Sequence, residues 1–331
     1  MADVPDRPAK EFLPSAPLEH LRFRACLLRR LREFFDQRGF FEVSTPVMAS
    51  ETVVDAHLDP FRVICPIDPR CPDQGPVAYL QTSPEIHMKR LLVAGAEAIY
   101  QIGPALRCAE SGASHNTEFT IAEWYRCGDN LEGGMRVLAE LAEQLLDRKP
   151  TEFLSYAELF QRYLQVDPHG VDTASLRKLV DSHGQWKRVD SASRDELLEF
   201  LMSQSIQPHL GGENPTIVYD YPASQAALAR VRAGPPAVAE RFELFYRGAE
   251  LANGYHELTD PDELQTRFHQ ANRLRTANGR QALPMPDRFI DAMRHGLPPC
   301  AGAALGFDRL VMAALGIDDI AMVIPFKADR A

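Results

Sequence analysis

The amino-acid sequence predicts an α+β fold in which antiparallel strand pairs are accompanied by amphipathic helices. The apolar run Ile99–Leu106 leads through a loop of small residues into Phe119–Tyr125, where apolar and polar residues alternate as in a hairpin. A second antiparallel pair is predicted from Phe242–Phe245 and Leu251–Leu258. Leucine and phenylalanine recur at helical spacing over Leu18–Arg38, which predicts an amphipathic helix before the first hairpin.

Composition limits the classes of protein that this chain can belong to. It has 331 residues, of which 45% are hydrophobic, so it can build one large domain or two ordinary ones with a full core. It contains no run of about 18 apolar residues, so no membrane span is expected. Its six cysteines form no CxxC pair, and its N-terminus lacks the apolar segment of a signal peptide, which favours a reducing cytoplasm. The net charge of −10 does not favour nucleic acid as a partner.

The remaining elements follow in chain order from caps and apolar spacing. Gly39 is predicted to end the first helix, and Gly39–Met48 is apolar and β-prone, with Pro46 near its end. Ser83 and Pro84 are predicted to open a helix whose buried stripe is Ile86, Met88, Leu91 and Leu92. Further strands are predicted at Phe61–Ile64, Tyr79–Leu80 and Thr216–Tyr221, and further helices at Leu131–Leu146, Tyr156–Leu164, Thr173–His183, Arg194–Gln204, Pro261–Asn278 and Asp287–Arg294.

Charged residues concentrate at the turn of the first hairpin. Arg107 and Glu110 precede the turn, and His115 and Glu118 follow it. The hairpin therefore brings a guanidinium, carboxylates and an imidazole to one small volume. Arginine suits a phosphate because its planar fork donates two parallel hydrogen bonds and keeps its charge. Taken alone, the same residues also fit a solvated rim.

Two further stretches carry candidate chemistry. Glu243 and Glu250 are predicted to lie across a strand pair, where two carboxylates repel unless a cation lies between them, so they suggest a hard metal. Gly302–Leu310 is predicted as a strand running into a helix, with Asp308 as a possible cap and Arg309 beside it. The alternative for the second stretch is an ordinary capped helix with one surface arginine.

Three of these stretches, in this order, resemble the motifs of class II aminoacyl-tRNA synthetases, most closely the lysyl-tRNA synthetase core. Gly39–Met48 resembles motif 1, Arg107–Tyr125 motif 2 and Gly302–Leu310 motif 3. The resemblance covers roughly residues 20 to 330. It implies a mostly antiparallel sheet of six to seven strands flanked by helices, and a homodimer formed through motif 1. It also implies a flexible arm (1–17), then a catalytic domain (18–331) with a helical insertion (150–215) and no room for an anticodon-binding domain.

The resemblance implies a role for each site residue, with ATP and Mg²⁺ as cofactors. Arg107 and Arg309 are expected to be catalytic, because they neutralise the phosphates at the transition state. Phe119 is expected to stack on adenine, and Glu243 and Glu250 to hold Mg²⁺. The expected ATP-binding set is Arg107, Glu110, His115, Asn116, Phe119, Glu243 and Arg309. The expected amino-acid pocket is Ser83, Glu85, Glu123, Tyr125, Asn253, Tyr255, Glu257 and Ala304.

The pocket residues favour lysine, because three carboxylates suit a substrate with two ammonium groups and a neutral amino acid leaves an acid unpaired. Lysyl-tRNA synthetases have Gly where this chain has Ala304, and one methyl group at a pocket wall shifts preference by about 1–3 kcal/mol. The motif 2 pattern Arg-x-Glu is also broken here, because Ala109 occupies the third position and Glu110 the fourth. Thr117 replaces the usual Pro.

With Ala304, the sequence is more similar to the free-standing elongation factor P–lysine ligases. That resemblance implies activation of lysine, preferably (R)-β-lysine, and its transfer to a lysine amine of elongation factor P, with tRNA an unlikely acceptor. The alternatives are a minimal lysyl-tRNA synthetase, or a non-catalytic paralogue that binds an amino acid and for which Ala109 is the one supporting feature. An asparagine synthetase of related fold is disfavoured by the lysine-type acids.

Overall fold

The computed structural model describes residues 12–183, 186 and 189–331. Most of the expected arm (1–17) lies outside these residues. Of its described part, Ala16 is buried and the Ser15 N–H donates to the Pro325 carbonyl at 2.7 Å. The helices are α1 Leu18–Asp36, α2 Glu85–Val93, α3 Leu131–Leu146, α4 Tyr156–Leu164, α5 Thr173–His183, α6 Arg194–Leu201, α7 Pro261–Ala277, α8 Asp287–Arg294 and α9 Phe307–Leu315. The strands are β1 Phe41–Glu42, β2 Met48–Ala49, β3 Arg62–Ile64, β4 Val77–Leu80, β5 Ala98–Leu106, β6 Glu118–Cys127, β7 Glu152–Ser155, β8 Thr216–Pro222, β9 Val231–Arg232, β10 Val238–Tyr246, β11 Ala249–His256 and β12 Cys300–Gly306.

Nine of the described strands form one large sheet, and the predicted α+β class is confirmed. The sheet has nine strands in the order β1-β5-β6-β12-β11-β10-β8-β7, with β9 beside β10. The outermost pairs β1–β5 and β7–β8 are parallel, and the other pairs are antiparallel. The expected six to seven strands are exceeded because β1, β7 and β9 are only two to four residues long. Such short edge strands carry little periodic signal in a sequence.

Several element boundaries differ from the prediction. The run predicted as one strand over Gly39–Met48 is split into β1 and β2, with no strand over residues 43–47, which include Pro46; a proline cannot donate to a strand ladder. Strand β2 joins β4 and β3 in a separate small sheet. The helix predicted over Arg194–Gln204 is α-helical only to Leu201 and continues as a π-turn over Met202–Ile206.

The main core lies between one face of the sheet and helices α1, α3 and α9. Phe35 of α1 stacks on Tyr100 of β5 with ring centroids 4.6 Å apart and contacts Trp124 of β6. Phe242 of β10 and Ala303 of β12 belong to the same buried cluster. Because successive side chains of a strand point to opposite faces, the neighbours of these core residues face the other side of the sheet, where the site is built.

Two smaller cores complete the fold. Helices α4 to α6 pack with β8 and β10 at one edge of the sheet, and this region begins with β7, a strand of the main sheet. Helices α2, α7 and α8 form the third cluster, which includes Tyr125. Among the residues that the structure describes, no helix is both long and apolar enough to span a membrane.

Candidate active site

The register of four neighbouring strands places most of the predicted pocket in two adjacent rows on one face of the sheet. Residues directly opposite each other across antiparallel strands share a face, as do residues two apart on one strand. The first row, from β10 through β11 and β12 to β6, is Glu243, Asn253, Ala304 and Glu123. The second row, in the same order, is Arg241, Tyr255, Gly302 and Tyr125. The stretches that the sequence analysis singled out therefore meet at one surface.

Gly302 allows Tyr125 to lie flat across the sheet. A Cβ atom at position 302 would be 2.3 Å from the Tyr125 ring, closer than such atoms ever approach. The Tyr125 hydroxyl then donates to Glu123 Oε1 at 2.7 Å. Gly302 therefore leaves room for the Tyr125 ring, and the Tyr125 hydroxyl in turn orients the Glu123 carboxylate.

Glu123 is a buried carboxylate whose two oxygens are both bound within the chain. Ser83, which precedes α2, donates its hydroxyl to Glu123 Oε2 at 2.7 Å. The same Ser83 oxygen accepts the N–H of Glu85 at 3.1 Å. The prediction that Ser83 is the N-cap was wrong, because α2 begins at Glu85 and Pro84 occupies the N-cap position. Burial first, and then the nearby Glu85 carboxylate, raise the pKa of Glu123 to about 7.

Lys89 is a buried cation among these acids that the sequence analysis missed. Its Nζ lies 2.5 Å from Glu85 Oε1 and 2.6 Å from Glu257 Oε2, and 5.7 Å from the centre of the Tyr125 ring. Only 2% of the Lys89 side chain is exposed. The i, i+4 spacing of Glu85 and Lys89 was the available signal. The prediction that Leu91 lies on the buried stripe was wrong, because Leu91 is exposed and Lys89 is buried instead.

The charges of this cluster depend strongly on one another. Burial lowers the pKa of Lys89, but the carboxylates of Glu257 and Glu85 more than offset this and raise it above its usual value. Burial raises the pKa of Glu257 to about 8, although Lys89 acts in the opposite direction. In the chain alone, the pocket therefore carries fewer ionised acids at neutral pH than its three carboxylates suggest.

Arg107, at the end of the hairpin strand β5, has donor groups that the chain does not satisfy. Its guanidinium lies over the Phe119 ring at 4.9 Å, and its Nη1 is 3.8 Å from Glu110 Oε2. Its Nε is buried and has no hydrogen-bond partner among the described residues. A buried donor without a partner is costly, so this group fits an anionic ligand. Ala109 adopts a left-handed conformation, with φ of 62°, and Glu110 follows it beside Arg107.

Arg309 lies in the first turn of α9 and reaches the hairpin loop. Its Nη2 contacts His115 Nε2 at 2.5 Å, and its Nη1 donates to the Glu250 carbonyl at 3.2 Å. Burial and then Arg309 lower the pKa of His115, which favours a neutral imidazole that accepts from the guanidinium. Asn116 is buried, and its side-chain amide is used within the chain by Glu118 and Ala328.

The prediction that Asp308 caps the last helix was wrong. Gly306 occupies the N-cap position without a side-chain hydrogen bond, and Asp308 is buried inside the first turn. Its oxygens accept the Thr120 N–H and the Arg24 guanidinium, each at 2.7 Å. Asp308 therefore fixes the start of α9 against β6 and α1, and this holds Arg309 on the site side.

Glu243 and Glu250 form the acidic end of the site. Glu243 accepts from the Tyr221 hydroxyl at 2.6 Å and forms an ion pair with Arg241, neither of which the sequence analysis identified. The alternation of Arg241 and Glu243 along β10 was the available signal. No described residue donates a hydrogen bond to the Glu250 carboxylate, and the Glu243 oxygens keep lone pairs. This donor set fits a hard cation bound through oxygen.

Comparison with known proteins gives a family for this arrangement. The family model described as tRNA synthetases class II (D, K and N) matches residues 14–330. Among curated proteins, the Elongation factor P--(R)-beta-lysine ligases of Salmonella paratyphi B and Salmonella schwarzengrund are each 46% identical to this chain over 321 residues. The matched segment is 96% of this chain and 98% of each relative.

Proposed function

Because the chain belongs to the class II tRNA synthetase family, we propose that it is an ATP-dependent ligase that activates lysine, preferably (R)-β-lysine, and transfers it to a lysine ε-amine of elongation factor P. The near full-length match to relatives named for this reaction supports the acceptor. The proposal places the enzyme in the cytoplasm, as a homodimer formed through motif 1. The minimal lysyl-tRNA synthetase is the second candidate; its acceptor is tRNA, and Ala304 counts against it.

The observation that carries the proposal is the cluster of acids between α2 and the site face of the sheet, of which Glu123 and Glu257 are buried and Glu85 is partly buried. Glu85 and Glu257 each have one oxygen beside Lys89, and Glu123 has both oxygens satisfied by Ser83 and Tyr125. Buried acids of this kind need cationic partners. A substrate with two ammonium groups supplies them, and we assign Asn253, Tyr255 and Ala304 to the walls around it.

The chemistry requires two anions to meet, the substrate carboxylate and the α-phosphate of ATP. Attack of a carboxylate oxygen on the α-phosphorus forms the aminoacyl-adenylate and breaks the bond to the β-phosphate oxygen, so that pyrophosphate leaves. We assign Arg107 to the α-phosphate and Arg309, with His115, to the leaving phosphates. Catalysis then consists of positioning and electrostatic stabilisation, without a covalent enzyme intermediate.

The second half-reaction forms the amide bond. The neutral ε-amine of the acceptor lysine attacks the carbonyl carbon of the mixed anhydride, loses a proton and expels AMP. Glu250 and Glu243 would hold Mg²⁺, which would supply positive charge against the phosphates. Phe119 is assigned to stacking on adenine and Glu110 to the base contact that residue 109 cannot make, while Asn116 braces the loop.

The experiment that tests the proposal is ATP-dependent transfer of labelled α-lysine and (R)-β-lysine, offered together with elongation factor P and with lysine tRNA. We expect label on the protein, more with the β-isomer. Label on tRNA alone would mean that the chain functions as a lysyl-tRNA synthetase. Absence of lysine-dependent ATP–pyrophosphate exchange under all conditions would leave a non-catalytic paralogue.

A further inference from the structure

The acid cluster contains an ammonium group of the chain itself, beside two of the carboxylates that the proposed substrate would meet. The Lys89 Nζ lies within 2.6 Å of one oxygen of Glu85 and one oxygen of Glu257. Among the described residues, nothing donates a hydrogen bond to the second oxygen of either acid. Each of the two carboxylates is therefore half occupied by Lys89 and half available.

The arrangement of Lys89 is unusual for a lysine, because lysines are almost never fully buried unless they are paired. Of the six lysines in the chain, the structure describes four, and only Lys89 is buried. It sits on the second turn of α2, so the helix backbone holds its Cα directly above Glu85. The carboxylates of Glu85, on α2, and of Glu257, directly after β11, repel each other. The ammonium group of Lys89 bridges them, and it is covalently attached to the chain.

The presence of Lys89 also sets the charge that a substrate meets. Three carboxylates and one ammonium leave a formal charge of about −2 when all are ionised, which two substrate ammonium groups balance. Without Lys89, the three acids would repel one another and take up protons, so that fewer of them would attract a dication.

We propose that Lys89 is a specificity-determining positioning residue, whose ammonium bridges Glu85 and Glu257 and adjusts the pocket to a substrate with two ammonium groups. This inference rests on the proposed function, because it assigns the acids to lysine recognition. It adds that recognition requires a cation supplied by the enzyme itself.

The first test is Lys89→Met, which keeps the length of the side chain and removes its charge. We expect the KM for lysine in ATP–pyrophosphate exchange to rise at least thirtyfold, with the KM for ATP within threefold of the wild-type value. We also expect the preference of binding for lysine over norleucine to fall at least tenfold, since norleucine lacks the second ammonium. The control is Arg90→Met, which removes the neighbouring charge of α2. A lysine KM within threefold of wild type in Lys89→Met would overturn the proposal.

A purely structural role is separated by chemical rescue. Lys89→Ala leaves space for a small amine, and we expect propylammonium to restore lysine-dependent exchange while propanol, of similar size, does not. Equal effects of the two compounds would show that volume, rather than charge, is what residue 89 provides, and would overturn the proposal.

If neither variant folds, the unmutated enzyme still decides the question. In protein labelled with ¹⁵N at the lysine side chains, we expect one ε-ammonium signal that stays charged at a pH at which the other lysines have lost their protons, and that shifts when lysine is added. No such signal would overturn the proposal. Failure of the proposed function is a different outcome, since it would appear as wild-type enzyme that does not activate lysine at all.

Discussion

The two halves of the site differ in how far the chain satisfies its own charged groups. In the amino-acid half, Ser83, Tyr125 and Lys89 hold the carboxylates of Glu85, Glu123 and Glu257 at 2.5 to 2.7 Å. In the nucleotide half, Arg107 is 3.8 Å from Glu110, and its buried Nε has no hydrogen-bond partner in the part of the chain that the structure describes.

This difference indicates that the amino-acid half is already organised in the absence of a ligand. In the amino-acid half, the chain's own groups already hold the acids, and one oxygen each of Glu85 and Glu257 remains available to an ammonium. The residues of this half should therefore govern selectivity and KM. The guanidinium groups of the nucleotide half need the oxygens of a polyanion as hydrogen-bond acceptors. Removing one of these groups should therefore lower kcat more than it changes KM.

Removing a phosphate-side cation is expected to produce the largest effect. We predict that Arg309→Ala lowers kcat of lysine-dependent ATP–pyrophosphate exchange about 10³-fold, because developing phosphate charge loses its partner. Arg309→Lys should recover only part of the rate, since lysine lacks the planar fork. The exposed Arg288 provides the control, and its alanine variant should behave as wild type. A rate for Arg309→Ala within tenfold of wild type would contradict the assignment.

Removing one pocket acid is expected to change KM rather than kcat. We predict that Glu257→Gln raises the KM for lysine about 100-fold, because the amide cannot match a charged hydrogen bond to an ammonium. The KM for ATP should stay near its wild-type value, which kinetics at varied ATP will measure. Glu263→Gln changes an exposed acid of α7 and serves as the control. A parallel rise in both KM values would mean that the two halves are not independent.

The amino-acid half should also respond to pH. The pKa of Glu123 is raised to about 7 and that of Glu257 to about 8, so both acids gain protons as the pH falls through this range. Substrate ammonium groups need the ionised acids, so we predict that the KM for lysine increases about tenfold from pH 8 to pH 6. The KM for ATP over the same range is the internal control. A flat lysine profile would show that the acids stay ionised in the free enzyme.

The sequence predicted the positions of the helices and strands that have clear apolar periodicity, and it named most of the residues that the structure brings together at the candidate site. These predictions depended on local sequence patterns. Leu131–Leu146 and Tyr156–Leu164 were predicted to the residue, because apolar residues at helical spacing mark both helices. The roles of Lys89 and Tyr221 were not predicted, because each depends on a carboxylate that another part of the chain supplies, Glu257 and Glu243 respectively. The role of Arg241 was missed although its partner Glu243 lies two residues along the same strand. Asp308 was assigned to a cap because its true partners, Thr120 and Arg24, are distant in sequence.

Ala304 carries the methyl group at which the resemblance implies a difference from lysyl-tRNA synthetases. Ala304 lies between Glu123 and Asn253 across the strands and is partly exposed to the site. We predict that Ala304→Gly raises kcat/KM for α-lysine relative to (R)-β-lysine about tenfold, since the wall recedes by one methyl. Ala303→Gly is the matched control, because Ala303 is on the opposite face, in the main core. It should lower stability and leave the ratio of the two substrates unchanged.

The smallest expected effect concerns the altered motif 2. The Glu110 carboxylate is partly exposed and lies 3.8 Å from the Arg107 guanidinium. Because exposed ion pairs are weak, this one contributes at most about 1 kcal/mol of interaction free energy. If Glu110 replaces the acid missing at position 109, Glu110→Ala should raise the KM for ATP about threefold and leave the KM for lysine unchanged. Glu110→Gln keeps a hydrogen-bond acceptor, so its KM for ATP should lie between that of the wild type and that of Glu110→Ala. An unchanged KM for ATP in Glu110→Ala would mean that the left-handed turn at Ala109 has removed the base contact altogether, and that Phe119 and the two arginines bind the nucleotide without it.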